Sequence, residues 1–197
     1  MSKSGDFGII AIACSTGGPQ ALHKMIPMLP GHLGVPIVLV QHMPAGFTKT
    51  LADRINGMAA LSVKEAEDGE LLLPDVVYIA PGGNHLEVTT NRAKNLIAKV
   101  YNGPPVNNLR PNADVMYESL IDVDVGKILC VVMTGMGADG TKGIAALKEK
   151  KEIYCITQSE ESCVVYGMPR AVDLSGLSDK SVPLDKIAQT ISKKIGG

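Results

Sequence analysis

The sequence has no tryptophan and is poor in aromatic residues, with only two phenylalanines and five tyrosines among 197 residues. An excess of charge of one sign is also missing, because 19 basic residues nearly balance 20 acidic ones and leave a formal net charge of -1. A balanced surface offers no electrostatic footprint for nucleic acid or for an anionic membrane. We therefore expect no nucleic-acid partner, and a partner chosen by the local chemistry of a site.

Long apolar segments and paired cysteines are missing as well. No apolar run approaches the roughly 20 residues that span a bilayer, and the N-terminus lacks a signal-peptide pattern. None of the four cysteines forms a C-x-x-C pair or has a histidine at metal-ligand spacing; they are Cys14, Cys130, Cys155 and Cys163. We expect reduced, buried thiols, no metal, no cofactor, no insertion into a membrane, and a soluble cytoplasmic protein.

Apolar runs alternate with helical segments along most of the chain. The apolar runs are nearly continuous, as in strands buried on both faces of a parallel sheet; they are residues 7–14, 35–41, 127–134 and 152–158. One helix is expected to open at Gly17, Gly18 and Pro19, and another to run from Thr48, as its N-cap, to Gly57. The alternation predicts an α/β fold with a doubly wound, mostly parallel sheet.

The middle of the chain has a different pattern. Residues 76–100 hold three short β-rich runs separated by PGGN and TNRAKN, which predicts an inserted antiparallel β meander. The proline- and asparagine-rich segment 102–112 predicts a stiff loop. Because there is no internal repeat or low-complexity linker, we expect residues 1–197 to form a single domain.

Three chemically active residues follow three of the predicted strands: Ser15, His42 and Asp139. The loops at the carboxyl ends of the strands in a doubly wound sheet line one crevice, so we expect the three side chains to share it. A hydroxyl that attacks, an imidazole that takes its proton and a carboxylate that orients the imidazole are the set needed for acyl transfer. The helix after Ser15 points free N–H groups at it, and the two glycines would allow a substrate to approach that backbone.

Each of these residues also has an ordinary structural interpretation. Ser15 is in a position suited to a helix N-cap, and His42 to a core or rim histidine bonded to a carbonyl. Asp139 stands in an A-D-G sequence that is common in Asx turns. Their joint placement at successive strand ends favours the functional interpretation, but spacing alone leaves both open.

Three rival motifs do not match the letters of the sequence. The first loop reads CSTGGPQA and lacks the G-x-G-x-x-G of a dinucleotide site, and the second strand ends in Gln41 and His42 without an acidic residue. The segment GMGADGTK reverses the last two letters of a P-loop and places a carboxylate inside the anion cradle. The α/β-hydrolase elbow needs a glycine where Ala13 stands and a different order of acid and histidine.

Longer segments resemble the catalytic domain of the protein-glutamate methylesterases of bacterial chemotaxis. They are STGGPQAL, QHMPAGFT, VKEAEDGELLLPDVVYIAPGGNHLEV, NGPPVNNLRPNADVMYESL, MTGMGADG and SCVVYGMPRAV. The resemblance implies that Ser15, His42 and Asp139 form a catalytic triad that needs no cofactor. It also implies that the backbone N–H of Met136, with Thr16 beside the nucleophile, forms the oxyanion hole.

The same resemblance implies hydrolysis of glutamyl methyl esters on the cytoplasmic helices of chemoreceptors, and in some members deamidation of receptor glutamines. Members usually carry an N-terminal receiver domain, whereas the first predicted strand here begins near residue 7. We therefore expect no receiver domain within residues 1–197, and a monomer that is either a fragment or a free-standing esterase. An idle receptor-docking module and a carboxylesterase outside chemotaxis remain the alternatives.

Other side chains are weaker candidates for the site. His85 follows the PGGN turn and is expected to be structural more often than catalytic, and Arg110 either holds its own loop or pairs with receptor carboxylates. Apolar residues on several predicted loops form either a shelf for a receptor helix or ordinary core packing; they are Met43, Pro44, Phe47, Pro104, Pro105, Met168 and Pro169.

Overall fold

A computed structural model describes residues 7–196. Its main sheet has seven strands in the order β3-β4-β2-β1-β7-β8-β9, and every neighbouring pair is parallel. A separate antiparallel hairpin is formed by β5 and β6. The strands are β1 Phe7–Cys14, β2 Ile37–Gln41, β3 Ser62–Glu65, β4 Val76–Ile79, β5 His85–Thr90, β6 Leu96–Tyr101, β7 Lys127–Val132, β8 Ile153–Gln158 and β9 Lys180–Val182.

Helices cover both faces of the main sheet, which confirms the doubly wound α/β prediction. They are α1 Gly18–Met25, α2 Phe47–Asn56, α3 Ala113–Ser119, α4 Thr141–Lys150, α5 Met168–Leu174 and α6 Leu184–Ile195. Successive side chains of a strand point to opposite faces, so a central strand buried on both sides must be apolar at every position. In β1, Ile10 and Ile12 pack with α1, α2 and α6, whereas Ile9 and Ala11 pack with α3, α4, α5 and the hairpin. No helix within residues 7–196 is long and apolar enough to cross a bilayer.

The predicted meander is a two-stranded hairpin and not a three-stranded unit. The first of its three runs, Val76–Ile79, is β4 of the main sheet, where it pairs in parallel with β2 and β3. Its residues are almost fully buried, as a strand inside a large sheet requires. A short apolar run carries no mark that distinguishes a parallel partner from an antiparallel one, so local sequence could not assign it.

Thr48 is not the N-cap of α2. Gly46 occupies that position, and Thr48 lies in the first turn. There its buried hydroxyl donates to Glu65 Oε1 at 2.5 Å and accepts from the N–H of Gly82 at 2.9 Å. Thr48 therefore connects α2 to the end of β3 and to the loop that follows β4.

Candidate active site

The site lies where the carboxyl ends of β1, β2 and β7 meet. The chain runs from β1 to β2 on one side and later returns to β7 on the other, so β1 separates two halves of the sheet. Loops that leave such a point in opposite directions open a crevice, which is where ligands bind in doubly wound sheets. Ser15, His42 and Asp139 lie on the three loops that follow these three strands, as the sequence predicts.

The position of Ser15 is fixed by its backbone. Cys14 is paired with Gln41 in the last register position of β1 and β2, and the N–H of His42 donates to Cys14 O at 3.2 Å. On the other side, the N–H of Ser15 donates to Thr134 O at 2.9 Å. Ser15 therefore lies between the ends of β2 and β7, next to His42, the first residue after β2.

His42 and Asp139 form a direct pair. The Nε2 of His42 lies 2.6 Å from Asp139 Oδ2, and only 11% of the histidine side chain and 4% of the aspartate side chain are exposed. An ionised carboxylate only accepts, so in the neutral imidazole the proton is on Nε2 and Nδ1 is left as an acceptor. Within residues 7–196 no hydrogen bond joins the Ser15 hydroxyl to this ring.

Asp139 is held as an anion. Its Oδ2 also accepts the N–H of Ala113 at 2.6 Å, and its Oδ1 accepts the N–H of Asp114 at 3.0 Å. Burial acts to raise the pKa of this carboxyl, but the bonds from His42 and from the two amides outweigh burial and lower the pKa below its ordinary value. The carboxylate therefore stays ionised and presents a fixed charge to the imidazole.

The backbone around Ser15 carries unused donors. Within residues 7–196 the N–H groups of Thr16 and Met136 donate to no acceptor of the protein. Gly135 presses against the serine, because a Cβ built on it would lie 2.9 Å from Ser15 Cβ, and its carbonyl is fixed by the N–H groups of Gly167 and Met168. Met136 follows directly and is 71% exposed. Of the two predicted oxyanion residues, Thr16 follows Ser15 in the chain and Met136 follows Gly135, which packs against Ser15.

The two glycines after Thr16 are closely packed against their neighbours. Gly17 has a φ of +80°, in the left-handed region, and a Cβ there would lie 2.5 Å from Val164 Cβ. A Cβ on buried Gly18 would overlap the Gln41 side chain. The expectation that both glycines open the backbone to substrate is therefore wrong for Gly18.

Comparison with known proteins identifies the family. Residues 10–191 match the family model described as CheB methylesterase. The chain belongs to the CheB methylesterase family. The crystal structure of the Thermotoga maritima CheB methylesterase catalytic domain is similar to it, with a TM-score of 0.90 and 40% sequence identity over 95% of this chain and 98% of that one.

Curated relatives of this methylesterase family support the same assignment. A protein-glutamate methylesterase/protein-glutamine glutaminase from Desulfotalea psychrophila is 50% identical, over 96% of this chain and 52% of that relative. A relative of the same description from Geobacillus kaustophilus is 47% identical, over 95% of this chain and 54% of its own length. The chain spans about half the length of the curated relatives it matches.

Two side chains that support the site were missed from the sequence. The Nε2 of Gln41 donates to the carbonyls of Ser15 and His42 at 2.9 and 3.1 Å, and so joins the two loops. The hydroxyl of Thr134 donates to Thr16 O at 2.9 Å. Both are polar residues at the end of a buried apolar strand, a signal that would have singled them out because buried polar groups need partners.

The weaker candidates have structural contacts. His85 is buried and its Nε2 donates to Pro104 O at 2.9 Å, while Arg110 Nη1 donates to Gly103 O at 2.7 Å, so both hold the loop at 102–112. Of the predicted apolar shelf, Phe47 is 60% exposed whereas Met168 is buried.

The cysteine thiols are unpaired. Cys14 is buried beside Gln41, and burial raises its pKa far above the ordinary value. No group of three His, Cys, Asp or Glu side chains in the described part of the chain is placed to hold a metal ion.

Proposed function

We propose that this chain is a protein-glutamate methylesterase that uses Ser15, His42 and Asp139 as a catalytic triad. The observation that carries the proposal is the buried pair of His42 Nε2 and Asp139 Oδ2, 2.6 Å apart, at the strand end adjacent to Ser15. A buried His–Asp pair beside a serine at the start of a helix has the roles of base, orienting group and nucleophile. The names of the relatives, which match over most of this chain, indicate the ester that is cleaved.

In the first step His42 Nδ1 takes the proton of the Ser15 hydroxyl as Oγ attacks the ester carbonyl. The carbonyl π electrons move to the oxygen, and Asp139 stabilises the imidazolium through the Nε2 proton. The C–O bond to the methoxy group then breaks, and the leaving oxygen takes the proton from His42 and departs as methanol. Water attacks the acyl-enzyme with the same base and releases the glutamate carboxyl group and Ser15.

The N–H groups of Thr16 and Met136 stabilise the oxyanion in this proposal. Within residues 7–196 neither N–H donates to a protein acceptor, and they lie on the loops that follow β1 and β7. Fixed donors aimed at developing charge are among the largest contributors to catalysis, because they need no reorganisation during the reaction. The α1 helix begins at Gly18, and the positive end of its dipole there also stabilises the oxyanion.

The substrate we propose is a glutamyl methyl ester on the cytoplasmic helices of a chemoreceptor. Three exposed apolar side chains lie on the elements that carry the site: Phe47 at the start of α2, Met136 next to Gly135, and Val164 against Gly17. Such side chains suit a helix surface better than a small ester. The same acyl transfer with ammonia as leaving group would deamidate receptor glutamine, which is the second activity named for the relatives.

The test is methanol release from a methylated chemoreceptor cytoplasmic fragment by the chain and by its Ser15→Ala variant. Ser192→Ala is the matched control, because that hydroxyl is bonded within α6 at Ala188 O and lies outside the site. We expect Ser15→Ala to lose several powers of ten in kcat and Ser192→Ala to keep the parental value.

Two results would overturn the proposal. If folded Ser15→Ala keeps near-parental methanol release, the serine mechanism is wrong. If the parent releases no methanol from substrate confirmed to be methylated, a serine-directed fluorophosphonate separates the alternatives: labelling of Ser15 indicates an esterase with another substrate, and no labelling indicates an idle docking module.

A further inference from the structure

A second buried carboxylate lies directly behind the His42–Asp139 pair. Asp114, in the first turn of α3, is 7% exposed and lines the same cavity as Asp139. Its Oδ1 accepts the N–H of Gly140 at 3.0 Å and the N–H of Gly143 at 2.7 Å. These amides belong to the residue that follows Asp139 and to the first turn of α4.

Each of the two aspartates accepts hydrogen bonds from backbone N–H groups at the start of the helix that adjoins the other aspartate. Asp139, just before α4, accepts the N–H groups of Ala113 and Asp114 at the start of α3. Asp114, at the start of α3, accepts N–H groups at the start of α4. The first amides of a helix have no partner within it, and a carboxylate there is favoured by the hydrogen bonds and by the dipole.

The α4 helix depends on this arrangement more than α3 does. Asn112 is the N-cap of α3 and accepts the N–H of Val115 at 3.0 Å, whereas the N-cap of α4 is Gly140, which has no side chain. Asp114 is thus the side chain that satisfies the buried N–H groups of Gly140 and Gly143. The starts of α3 and α4 are in close contact here, because a Cβ on Gly143 would lie 2.8 Å from the Asp114 backbone.

We propose that Asp114 is a positioning residue that holds Asp139 in place for His42 by anchoring Gly140 and the start of α4. The inference rests on the proposed function, in which Asp139 orients the His42 base. Without the Asp114 acceptor, the buried N–H groups of Gly140 and Gly143 lose their partner, and the loop that carries Asp139 loses its anchor. A shift of about 1 Å at an orienting group costs on the order of 100-fold in rate.

The electrostatic cost of this arrangement supports a positioning role. Burial and the charge of Asp139 raise the pKa of Asp114, against the lowering effect of the two amides, and Glu118 on the same helix adds to the increase. Repulsion between two neighbouring buried carboxylates destabilises the fold, and the amide hydrogen bonds that Asp114 accepts offset part of that cost. Asp114 accepts both amides through Oδ1 and lines the cavity, so Asn in its place can keep the Oδ1 acceptor.

The test compares Asp114→Ala, Asp114→Asn and the control Glu118→Ala by kcat and KM for methanol release. Glu118 is an exposed acid of the same helix. We expect Asp114→Ala to lower kcat about 10- to 100-fold with KM within about 2-fold, since the loss is in orientation and not in binding. Asp114→Asn should recover kcat to within about 3-fold of the parent and Glu118→Ala should match it, because both keep the acceptor. An Asp114→Ala variant that is folded and keeps parental kcat, or an Asp114→Asn variant as impaired as Asp114→Ala, overturns the inference.

A second readout needs no substrate. The Nε2 proton of His42, bonded to a carboxylate at 2.6 Å, should give a downfield proton NMR signal that His42→Gln removes. We expect Asp114→Ala to lose or shift this signal and Asp114→Asn to keep it. If no methanol is released by the parent yet the signal responds in this way, the proposed function fails and the positioning role stands. If methanol is released and neither signal nor kcat responds to Asp114→Ala, the positioning role fails alone.

Discussion

Residues 7–196 contain two His–Asp pairs with nearly the same local chemistry and different surroundings. In the first, His32 Nδ1 lies 2.8 Å from Asp75 Oδ2, and the same aspartate accepts the N–H groups of Leu33 and Gly34 at 2.5 and 2.7 Å. In the second, His42 Nε2 lies 2.6 Å from Asp139, which accepts the N–H groups of Ala113 and Asp114. Both aspartates therefore combine one imidazole with two backbone donors.

The difference between the pairs lies in position and burial. His32 and Asp75 precede β2 and β4 at the amino ends of the strands, and 85% of the histidine side chain is exposed. His42 follows β2 at the carboxyl end beside Ser15, and 11% of its side chain is exposed. Water screens the first pair and not the second, so the same groups are a surface contact in one place and a candidate catalytic pair in the other.

The largest difference in kcat between the two pairs should appear when the imidazole of each pair is removed. We expect His42→Gln to lower kcat for methanol release by at least about 1,000-fold, because the general base is lost. His32→Gln should leave kcat unchanged, since His32 is remote from Ser15. A large loss in His32→Gln, with the protein folded by circular dichroism, would contradict the distinction between the pairs.

Neutralising each aspartate tests orientation. Asp139→Asn should lower kcat about 100- to 10,000-fold with little change in KM, because an amide no longer fixes the proton on His42 Nε2. Asp75→Asn should not change kcat. Steady-state kinetics on both variants decides, and an active Asp139→Asn would show that His42 is oriented by other contacts.

The exposed pair of His32 and Asp75 should affect the stability of the fold and not kcat. Asp75→Ala removes the acceptor of three hydrogen bonds and places alanine at a φ of +65°, so we expect a loss of about 1–2 kcal/mol in the free energy of unfolding. Asp75→Asn keeps an acceptor for the amides and tolerates this φ, so it should lose less. Urea denaturation measures both, and equal losses in the two variants would show that the amide bonds contribute little.

The smallest effect concerns pH. For Asp75, as for Asp139, burial acts to raise the pKa, but the amides and the histidine lower it below the ordinary value. A lowered pKa contributes stability that is present above an unfolded pKa of about 3.9 and is lost as the pH falls through the folded value.

We therefore expect the free energy of unfolding to fall below about pH 4, and to fall less steeply in Asp75→Asn. Asp114 has the opposite effect on the free energy of unfolding, because its pKa is raised in the fold and its protonation at low pH therefore stabilises the folded state. In Asp114→Asn the free energy of unfolding should therefore fall more steeply with decreasing pH than in the parent. Urea midpoints measured from about pH 3 to pH 6 decide, and parallel curves for parent and variants would contradict these assignments.

The sequence by itself determined the α/β class and the three strand ends that carry Ser15, His42 and Asp139. The reason is that a strand buried on both faces must be apolar throughout, so its end is visible as the first polar or glycine-rich residues. The common direction of the strands then places those residues at one end of the sheet. His42 follows an apolar run and stands in the segment QHMPAGFT, whereas His32 precedes an apolar run.

Tertiary structure alone decided which groups pair. His42 and Asp139 are 97 residues apart in the chain. The hydrogen bond from the N–H of Gly140 to Asp114 Oδ1 joins the start of α4 to α3. It also decided that Val76–Ile79 joins the main sheet, because a short apolar run pairs equally well in either direction until its neighbours are in place. Periodicity and caps are local and can be read along the chain, whereas partners chosen by strand order and helix packing exist only after the sheet has formed.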